Sequence, residues 1–426
     1  MTGLTTRGRA VLAGGATLIL LAWLLGQRDL LRVGVLALAL PLVCAALVVR
    51  TRYRLTCARG IGAPRISVGS HTTTLVRLQN SSRLPSGLLL VEDMVPPALG
   101  DPCRATVDRL EPGGRRDLTN VLEGVARGRY QVGPVTLSLR DPFGLCEVRR
   151  AFSATDTLVV TPRTITLPPN GLAGLWGGRG DSESRSIAHT GDDDVIPRTY
   201  RTGDDLRRVH WRATARSGEL MVRREEQPWR TTATIVLDRR PGTHRGVFPD
   251  TTFEVAVSVA ASAAVHLARL GLQVRVLDTS GLTLASTEAD GDNEGLLLDA
   301  LALVVPASAH DLADSAPLRR ALADGTLLAV VSDISPADAE VLAGLRGAGG
   351  TAAALVVDPA GWGSDDAASQ AAATSTSTFA RHGWRAASVH PDRSSNDPDR
   401  RAADLDQAVV TAWAALATPM AAGARG

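Results

Sequence analysis

The residues best equipped for chemistry crowd into one stretch of this chain, from Gly191 to Trp229. It carries Tyr200-Arg201-Thr202-Gly203-Asp204-Asp205-Leu206-Arg207-Arg208-Val209-His210-Trp211, then continues through Ala215-Arg216-Ser217-Gly218-Glu219-Leu220-Met221-Val222-Arg223. Three chemistries suit these residue types. Asp204 and Asp205 could pair with Arg207, Arg216 or Arg223 in a structural ion network, since the guanidinium fork matches a carboxylate bidentately. The same carboxylates, with Asp192 to Asp194, His189 and His210, could ligate Mg²⁺ or Mn²⁺ through oxygen and imidazole donors. The arginines, with Trp211 and Trp229, could instead bind an anionic polymer by charge and stacking. No ligand spacing here is diagnostic of one of the three.

The rest of the composition excludes several reactions. All 46 basic residues are arginine. Without lysine there is no Walker A loop, no Schiff base and no Ser-x-x-Lys acyl-enzyme. Neither a Gly-x-Ser-x-Gly elbow nor a His-Glu-x-x-His helix is present. Any use of ATP must therefore come from a partner. Cys44, Cys57, Cys103 and Cys146 form no CxxC and no disulfide framework, which fits a reducing compartment. A net charge of +2 gives no overall pull toward nucleic acid.

The elements that must position these residues begin with two apolar runs, Val11 to Leu25 and Val33 to Val49. Each approaches the roughly 17 residues that a spanning helix needs, and neighbours such as Ala10 and Gly26 extend the first. The polar stretch Gln27 to Arg32 between them makes the pair a helical hairpin. A signal peptide is the rival for the first run, but no small-x-small cleavage site precedes Arg28, and the second run would remain as an anchor. Arg7 and Arg9 precede the hairpin; Arg50, Arg52, Arg54 and Arg59 follow it. Arg28 and Arg32 in the tip are partly offset by Asp29. This asymmetry places both ends, and the body, in the cytoplasm. Pro41 within the second run is read as a tolerated membrane proline.

From Leu55 to Pro168, short alternating runs separated by Gly, Pro, Asn and Ser read as a β-sandwich-like domain. They include Thr74 to Leu78, Leu88 to Val91, Val135 to Leu139 and Thr157 to Val160. Arg127-Gly128-Arg129-Tyr130-Gln131-Val132-Gly133-Pro134 and Asp141-Pro142-Phe143-Gly144-Leu145 read as structural turns flanking one strand.

After the polar stretch the pattern changes again. Ala233 to Asp238, Leu272 to Asp278, Leu327 to Asp333 and Ala352 to Asp358 are apolar runs that each end in Asp. Thr252 to Leu270, Pro336 to Leu345 and Ala402 to Ala417 read as helices. Strands alternating with helices give a doubly wound parallel sheet, with Asp residues at the strand ends where such sheets place their sites. Gly361 to Thr378, rich in Ala, Ser, Thr and Asp, reads as a flexible loop, and Pro391 to Arg401 as a charged one. The chain thus divides into a hairpin over 1–54, a β domain over 55–168, the polar segment over 169–230 and an α/β domain over 231–426.

The pattern Tyr200-Arg-x-Gly203-Asp204-Asp205-x-Arg207-Arg208-x-His210-Trp211, with Ala215-Arg216-x-Gly218-x-Leu220-x-Val222-Arg223, resembles the signature of the bacterial domain-of-unknown-function fifty-eight family. The two β-domain turns and the paired anchor fit the same family. That resemblance implies a membrane-anchored partner of a MoxR-type AAA+ ATPase, in the neighbourhood of a transglutaminase-like membrane protein. It implies a von Willebrand A-like fold for the last domain, and it implies no reaction.

Such domains often bind a metal through Asp-x-Ser-x-Ser at the first strand end and a later Asp. Here Asp238 takes the first place and Asp333 the late one, but Arg240 and Gly242 stand where the serines would be. An arginine there repels a divalent cation or replaces its charge. The expectation is a degenerate site without metal, in which Asp238 pairs with Arg240 or with an arginine of the signature. The reading as a whole is a non-catalytic adaptor at the bacterial inner membrane. It has no cofactor, and its partners are the ATPase and the bilayer rather than nucleic acid. The alternatives are a metal-dependent enzyme using the Asp/His cluster, or a binder of anionic polymers or lipids.

Overall fold

The structure is a computed structural model describing residues 2–50, 55–83, 85–141, 143–169, 197–200, 209, 211–223, 232–287, 293–307, 312, 316–322, 326–346, 351–362, 366–395 and 397–417. The chain divides into two compact units: Met1–Arg163 with Leu298–Val304, and Thr164–Leu297 with Val305–Gly426.

The first unit opens with a short strand, β1 (Thr2–Leu4), and two helices, α1 (Thr6–Leu25) and α2 (Arg28–Arg50). Both helices are long and apolar enough to cross a membrane. They lie against each other through small residues: a Cβ on Gly15 would come within 2.9 Å of the Leu38 nitrogen, and one on Gly34 within 2.8 Å of Ile19. Small residues let two apolar helices approach where no water is present to drive them together. Thr5 caps α1 by accepting the Gly8 amide at 3.1 Å, and Gly26, in the left-handed region, ends it.

Ten more strands follow: β2 (Leu55–Ile61), β3 (Arg65–Ser67), β4 (His71–Asn80), β5 (Leu89–Asp93), β6 (Cys103–Val107), β7 (Arg115–Glu123), β8 (Gly128–Val132), β9 (Val135–Arg140), β10 (Cys146–Phe152) and β11 (Asp156–Thr161). They form a five-stranded sheet in the order β1-β10-β9-β5-β6 and two three-stranded sheets, β3-β11-β8 and β2-β4-β7. Strand β4 shows why alternation is legible: Thr72, Thr74, Val76, Leu78 and Asn80 point inward and the residues between them outward. Val76 and Leu78 meet Leu89, Val91, Val135 and Leu137 of the five-stranded sheet in one core, so the layers face each other. Arg59 lies in that body, paired at 3.3 Å with Asp93 and also with Asp156, its side chain 1 % exposed. This corrects its reading as a membrane-flanking charge, because a buried, paired guanidinium has no field to offer a bilayer. Arg127, also buried, donates to the Leu301 and Ala302 carbonyls at 3.0 and 3.3 Å. That contact makes its turn a structural one.

In the second unit, β12 (Pro197–Thr199), α3 (Trp211–Ser217) and β13 (Met221–Arg223) precede β14 (Thr232–Leu237). A two-stranded ribbon, β15 (Gly246–Val247) with β16 (Asp250–Thr251), leads into α4 (Thr252–Arg269). Then come β17 (Gln273–Asp278), β18 (Thr283–Ser286), α5 (Asn293–Ala302, which belongs to the first unit from Leu298 on), α6 (Ala316–Ala321), β19 (Thr326–Val331), α7 (Pro336–Ala343), β20 (Ala352–Val357), α8 (Asp366–Arg381), β21 (Arg385–Val389) and α9 (Pro398–Ala417). Six strands form one sheet in the order β18-β17-β14-β19-β20-β21, parallel except for the edge strand β18. Strands β19 and β20 are buried at every position, the continuous apolar pattern of a sheet covered on both faces. Helix α9 covers its part of the sheet with Val409, Ala412, Trp413 and Leu416, one helical face at three- and four-residue spacing.

Helix α8 corrects the expectation of a loop over Gly361 to Thr378. Its Ser and Thr hydroxyls bond within the helix, Thr374 to the Gln370 carbonyl at 2.7 Å and Thr376 to that of Ala372 at 2.9 Å. Ser375, fully buried, donates to the Ile334 carbonyl at 3.1 Å. With Ala372 and Phe379 in the core, tertiary burial outweighs the weak helix propensity of these residues.

Candidate functional site at the carboxyl edge of the parallel sheet

Parallel strands all end on the same side, so an Asp at each end makes a row of carboxylates along one edge. Asp278 closes β17, Asp238 follows β14, Asp333 lies just past β19, and Asp358 follows β20. Strand order reverses at β14 and β19, and in open α/β sheets ligands bind in the crevice at that point. Asp238 is fully buried there, and its amide donates to the Val330 carbonyl at 3.1 Å.

The crevice carries its own cation. The Arg240 Nε donates to both Asp238 oxygens at 3.0 and 3.2 Å, and Nη2 donates to Oδ2 at 2.8 Å. The backbone amide of Arg240 donates to Oδ1 at 3.0 Å, and Nη1 reaches Asp338 at 2.9 Å. Burial by itself would lower the Arg240 pKa. The hydrogen bonds and charge of Asp238, then of Asp338, outweigh it and hold the group above its ordinary value. A divalent cation at Asp238 would need oxygens that the guanidinium already holds, and Arg240 and Gly242 bring no hydroxyl. The residues do not fit a metal, and among the described residues no cluster of three or more His, Cys, Asp or Glu could hold one.

The neighbouring carboxylates are satisfied in the same manner. Asp278 accepts Arg239 Nη2 at 2.9 Å and the Ser280 and Leu282 amides, both at 2.9 Å. Asp333 accepts Arg245 through Nε at 2.8 Å and Nη2 at 2.5 Å. Asp358 meets His390 Nδ1 at 2.6 Å. His244 completes the switch point, with Nε2 2.8 Å from the Asp238 carbonyl and Nδ1 3.3 Å from Thr252 Oγ1. The carbonyl accepts only, so Nε2 carries the proton and Nδ1 accepts from the threonine hydroxyl. Burial, the largest influence on it, pushes the His244 pKa down, and the imidazole is neutral near pH 7. Of these pairs, sequence reasoning reached only Asp238 with Arg240; Arg239, His244, Arg245 and His390 were missed. The available signal was a basic residue one to seven positions after the first strand's terminal Asp.

Beside this edge the β15–β16 ribbon turns outward. Val247 is 83 % and Phe248 61 % exposed, a large apolar display for a structured turn. Its base is fixed by Asp250, which accepts the Trp362 indole at 3.1 Å and pairs with Arg393 and Arg401. Arg393 lies over the Trp362 ring at 4.1 Å.

The signature segment is described in part. Arg201, Gly203, Asp204, Asp205, Arg207 and His210 lie outside the described residues. Around them, β12 and β13 pair antiparallel, the Tyr200 amide donates to the Leu220 carbonyl at 2.7 Å, and buried Val209 bridges to buried Val222. Gly218, at φ +74°, ends α3 in the left-handed region, and Thr214 Oγ1 accepts the Met221 amide at 3.0 Å. Met221, Val222 and Arg223 therefore belong to a strand set by the ribbon, and Leu220 leads into it. Arg216 is exposed on α3. Trp211, the largest side chain of the signature, is 71 % exposed. A core role would have buried it.

Residues 197–361 match the model of a family described as Protein of unknown function DUF58. No curated protein matches the chain. Among solved structures, the CARDB domain of a Pyrococcus furiosus protein in complex with di-metal ions aligns with 16 % identity over 25 % of this chain and 93 % of that one, at a TM-score of 0.20. The sporulation control protein Spo0M of Bacillus subtilis aligns with 11 % identity over 25 % of this chain and 49 % of that one, at 0.16.

Proposed function

Taking residues 197–361 as placing this chain in the DUF58 family, we propose that it is a membrane-anchored, non-catalytic adaptor. Its partner is a MoxR-type AAA+ ATPase, and its task is the assembly or maturation of envelope proteins. The hairpin crosses the bacterial inner membrane twice and the body faces the cytoplasm, where such an ATPase finds its nucleotide. The α/β domain is read as von Willebrand A-like, with an Asp after its first strand at the switch point.

The observation that carries this reading is the Arg240 guanidinium seated on Asp238 and Asp338. The place where an open α/β sheet would hold a substrate or metal is filled by the protein's own side chain. What the second unit offers outward is apolar and aromatic: Val247 and Phe248 on the ribbon, and Trp211 in the signature. Exposed aromatic anchors are what protein interfaces use, and truncating one costs about 2 kcal/mol or more when it is a hot spot.

The test is capture of the MoxR-type ATPase by the full-length protein in detergent, with and without ATP. Nucleotide-dependent capture that weakens about tenfold or more in Trp211→Ala or Phe248→Ser supports the adaptor and locates its face. Capture that both variants leave unchanged keeps the adaptor and moves the interface elsewhere. Absence of capture in either nucleotide state ends this reading.

A further inference from the structure

The turn that follows β9 sits against the hairpin at a depth that a bilayer would fill. Thr5 Oγ1 donates to the Gly144 carbonyl at 2.6 Å, and the Thr5 amide to that of Leu145 at 2.9 Å. Strand β1 pairs with β10, Thr2 opposite Val148 and Leu4 opposite Cys146. Leu4, Val11, Leu40, Cys44, Leu145 and Cys146 form one apolar cluster, and the Cys146 thiol lies 3.5 Å from the Pro41 carbonyl. Helix α1 passes so close that a Cβ on Gly8 would collide with the Leu145 carbonyl.

The other end of the hairpin is polar. Arg28, Asp29 and Arg32 lie there, Arg32 and Asp29 paired at 3.0 Å with side chains 80 % and 88 % exposed. Charged side chains are costly at the bilayer centre, so this tip marks the far interface. From Arg32 to Cys44 α2 rises about 18 Å, against a hydrocarbon core of about 30 Å. Helix α2 therefore meets Leu145 and Cys146 roughly 10 Å short of the near boundary. Helix α1 meets Leu145 at Gly8, about 27 Å from Gly26 and so roughly 3 Å short of that boundary, which brackets the turn within the near leaflet. Tilt would carry the contact deeper, and snorkelling of Arg32 would raise it by only about one helical turn.

The turn is built for such a place. Its backbone groups find partners inside the protein: the Phe143 and Cys146 amides donate to the Asp141 carboxylate at 3.1 and 2.6 Å, and the Gly144 amide to the Asp141 carbonyl at 2.9 Å. Backbone left unpaired in hydrocarbon costs several kcal/mol per group, roughly speaking, and these groups are paired. Asp141 is itself buried, while Phe143 is 62 % exposed at the tip of the turn. Arg7 and Arg9 are exposed on α1 and flank Gly8, level with the contact at the near end of the hairpin, where phosphates would lie.

We propose that the turn around Phe143 is a lipid-contacting wedge, inserted in the near leaflet of the bilayer that the hairpin crosses, with Arg7 and Arg9 held at its anionic headgroups. The proposal rests on the hairpin being a membrane anchor. The full-length protein, with Cys57→Ser and Cys103→Ser, would be spin-labelled at Phe143→Cys and reconstituted in vesicles of phosphatidylcholine and phosphatidylglycerol. Leu36→Cys on the hairpin and Val121→Cys on β7 serve as references, being 68 % and 59 % exposed in the native chain. The readout is accessibility to oxygen relative to a water-soluble nickel chelate. A ratio at 143 several-fold above that at 121 and approaching that at 36 is the expected result. A water-like value at 143 with a lipid-like one at 36 overturns the wedge and keeps the anchor. Water-like values at both positions overturn the two together. Benzoylphenylalanine at position 143 keeps an aromatic ring there; failure to form lipid adducts on irradiation would count against the wedge independently of labelling.

Discussion

Two side chains decide the character of the switch point. Asp238 is fully buried and Arg240 holds both its oxygens, so Arg240→Met leaves a buried carboxylate without its counter-charge. Such a break destabilises by about 3–5 kcal/mol, while replacing both partners together by apolar residues is far milder. Urea unfolding of the second unit should show the single variant well below the double variant Asp238→Leu/Arg240→Met; equal midpoints would mean that the pair holds little. His244 gives a second expectation at this scale. Burial lowers its folded pKa below the ordinary 6.5, so the unfolded chain takes up a proton that the fold still refuses. Stability is then complete above about pH 6.5 and falls as the pH drops below it. Removing the imidazole in His244→Gln should flatten that acid slope. It does not abolish the slope, because burial lowers His266 in the same sense. Asp238 opposite Arg240 was legible in the sequence because the two lie two residues apart after a strand. His390 opposite Asp358 was not, since two separate strands have to end side by side before they meet.

Elements were legible where periodicity is strong and burial is one-sided. Strand β4 alternates as its sequence does, and β19 and β20, apolar but for Thr326, read as central strands. Helix α8 was missed because its composition favours a loop and only the core beneath it makes a helix stable. Edge strand β18 pairs antiparallel with β17 across a bulge between Val276 and Leu277, and nothing in its four residues announces that register. The union of hairpin and β domain turns on one glycine. Gly8→Ala should push α1 off the Leu145 carbonyl and open the cluster that hides Cys44 and Cys146. Both thiols should then react with maleimide several-fold faster in detergent; unchanged reactivity would show that the contact yields without opening. Gly15→Leu should separate α1 from α2 by the same logic, read as loss of a disulfide engineered between their facing residues.

On the scale of the whole molecule, the anchor makes a sidedness prediction. In intact cells an impermeant maleimide should label Arg28→Cys at the hairpin tip from outside and reach Val121→Cys only after the membrane is broken. The reverse pattern would invert the proposed topology. Sequence alone determined that two apolar helices precede a β body and an α/β body, because hydrophobic period and run length are local properties of the chain. It also determined that no lysine chemistry is present, and that residues 200–223 resemble a family signature. Only the tertiary structure decided which other charges are spent inside: Arg59 on Asp93, Arg239 on Asp278, Arg245 on Asp333. It alone turned Trp211 and Phe248 outward, and it alone set the Phe143 turn beside the hairpin. The physical reason is that a guanidinium finds its carboxylate, and an aromatic its neighbour or solvent, only after strands far apart in the chain have been laid side by side.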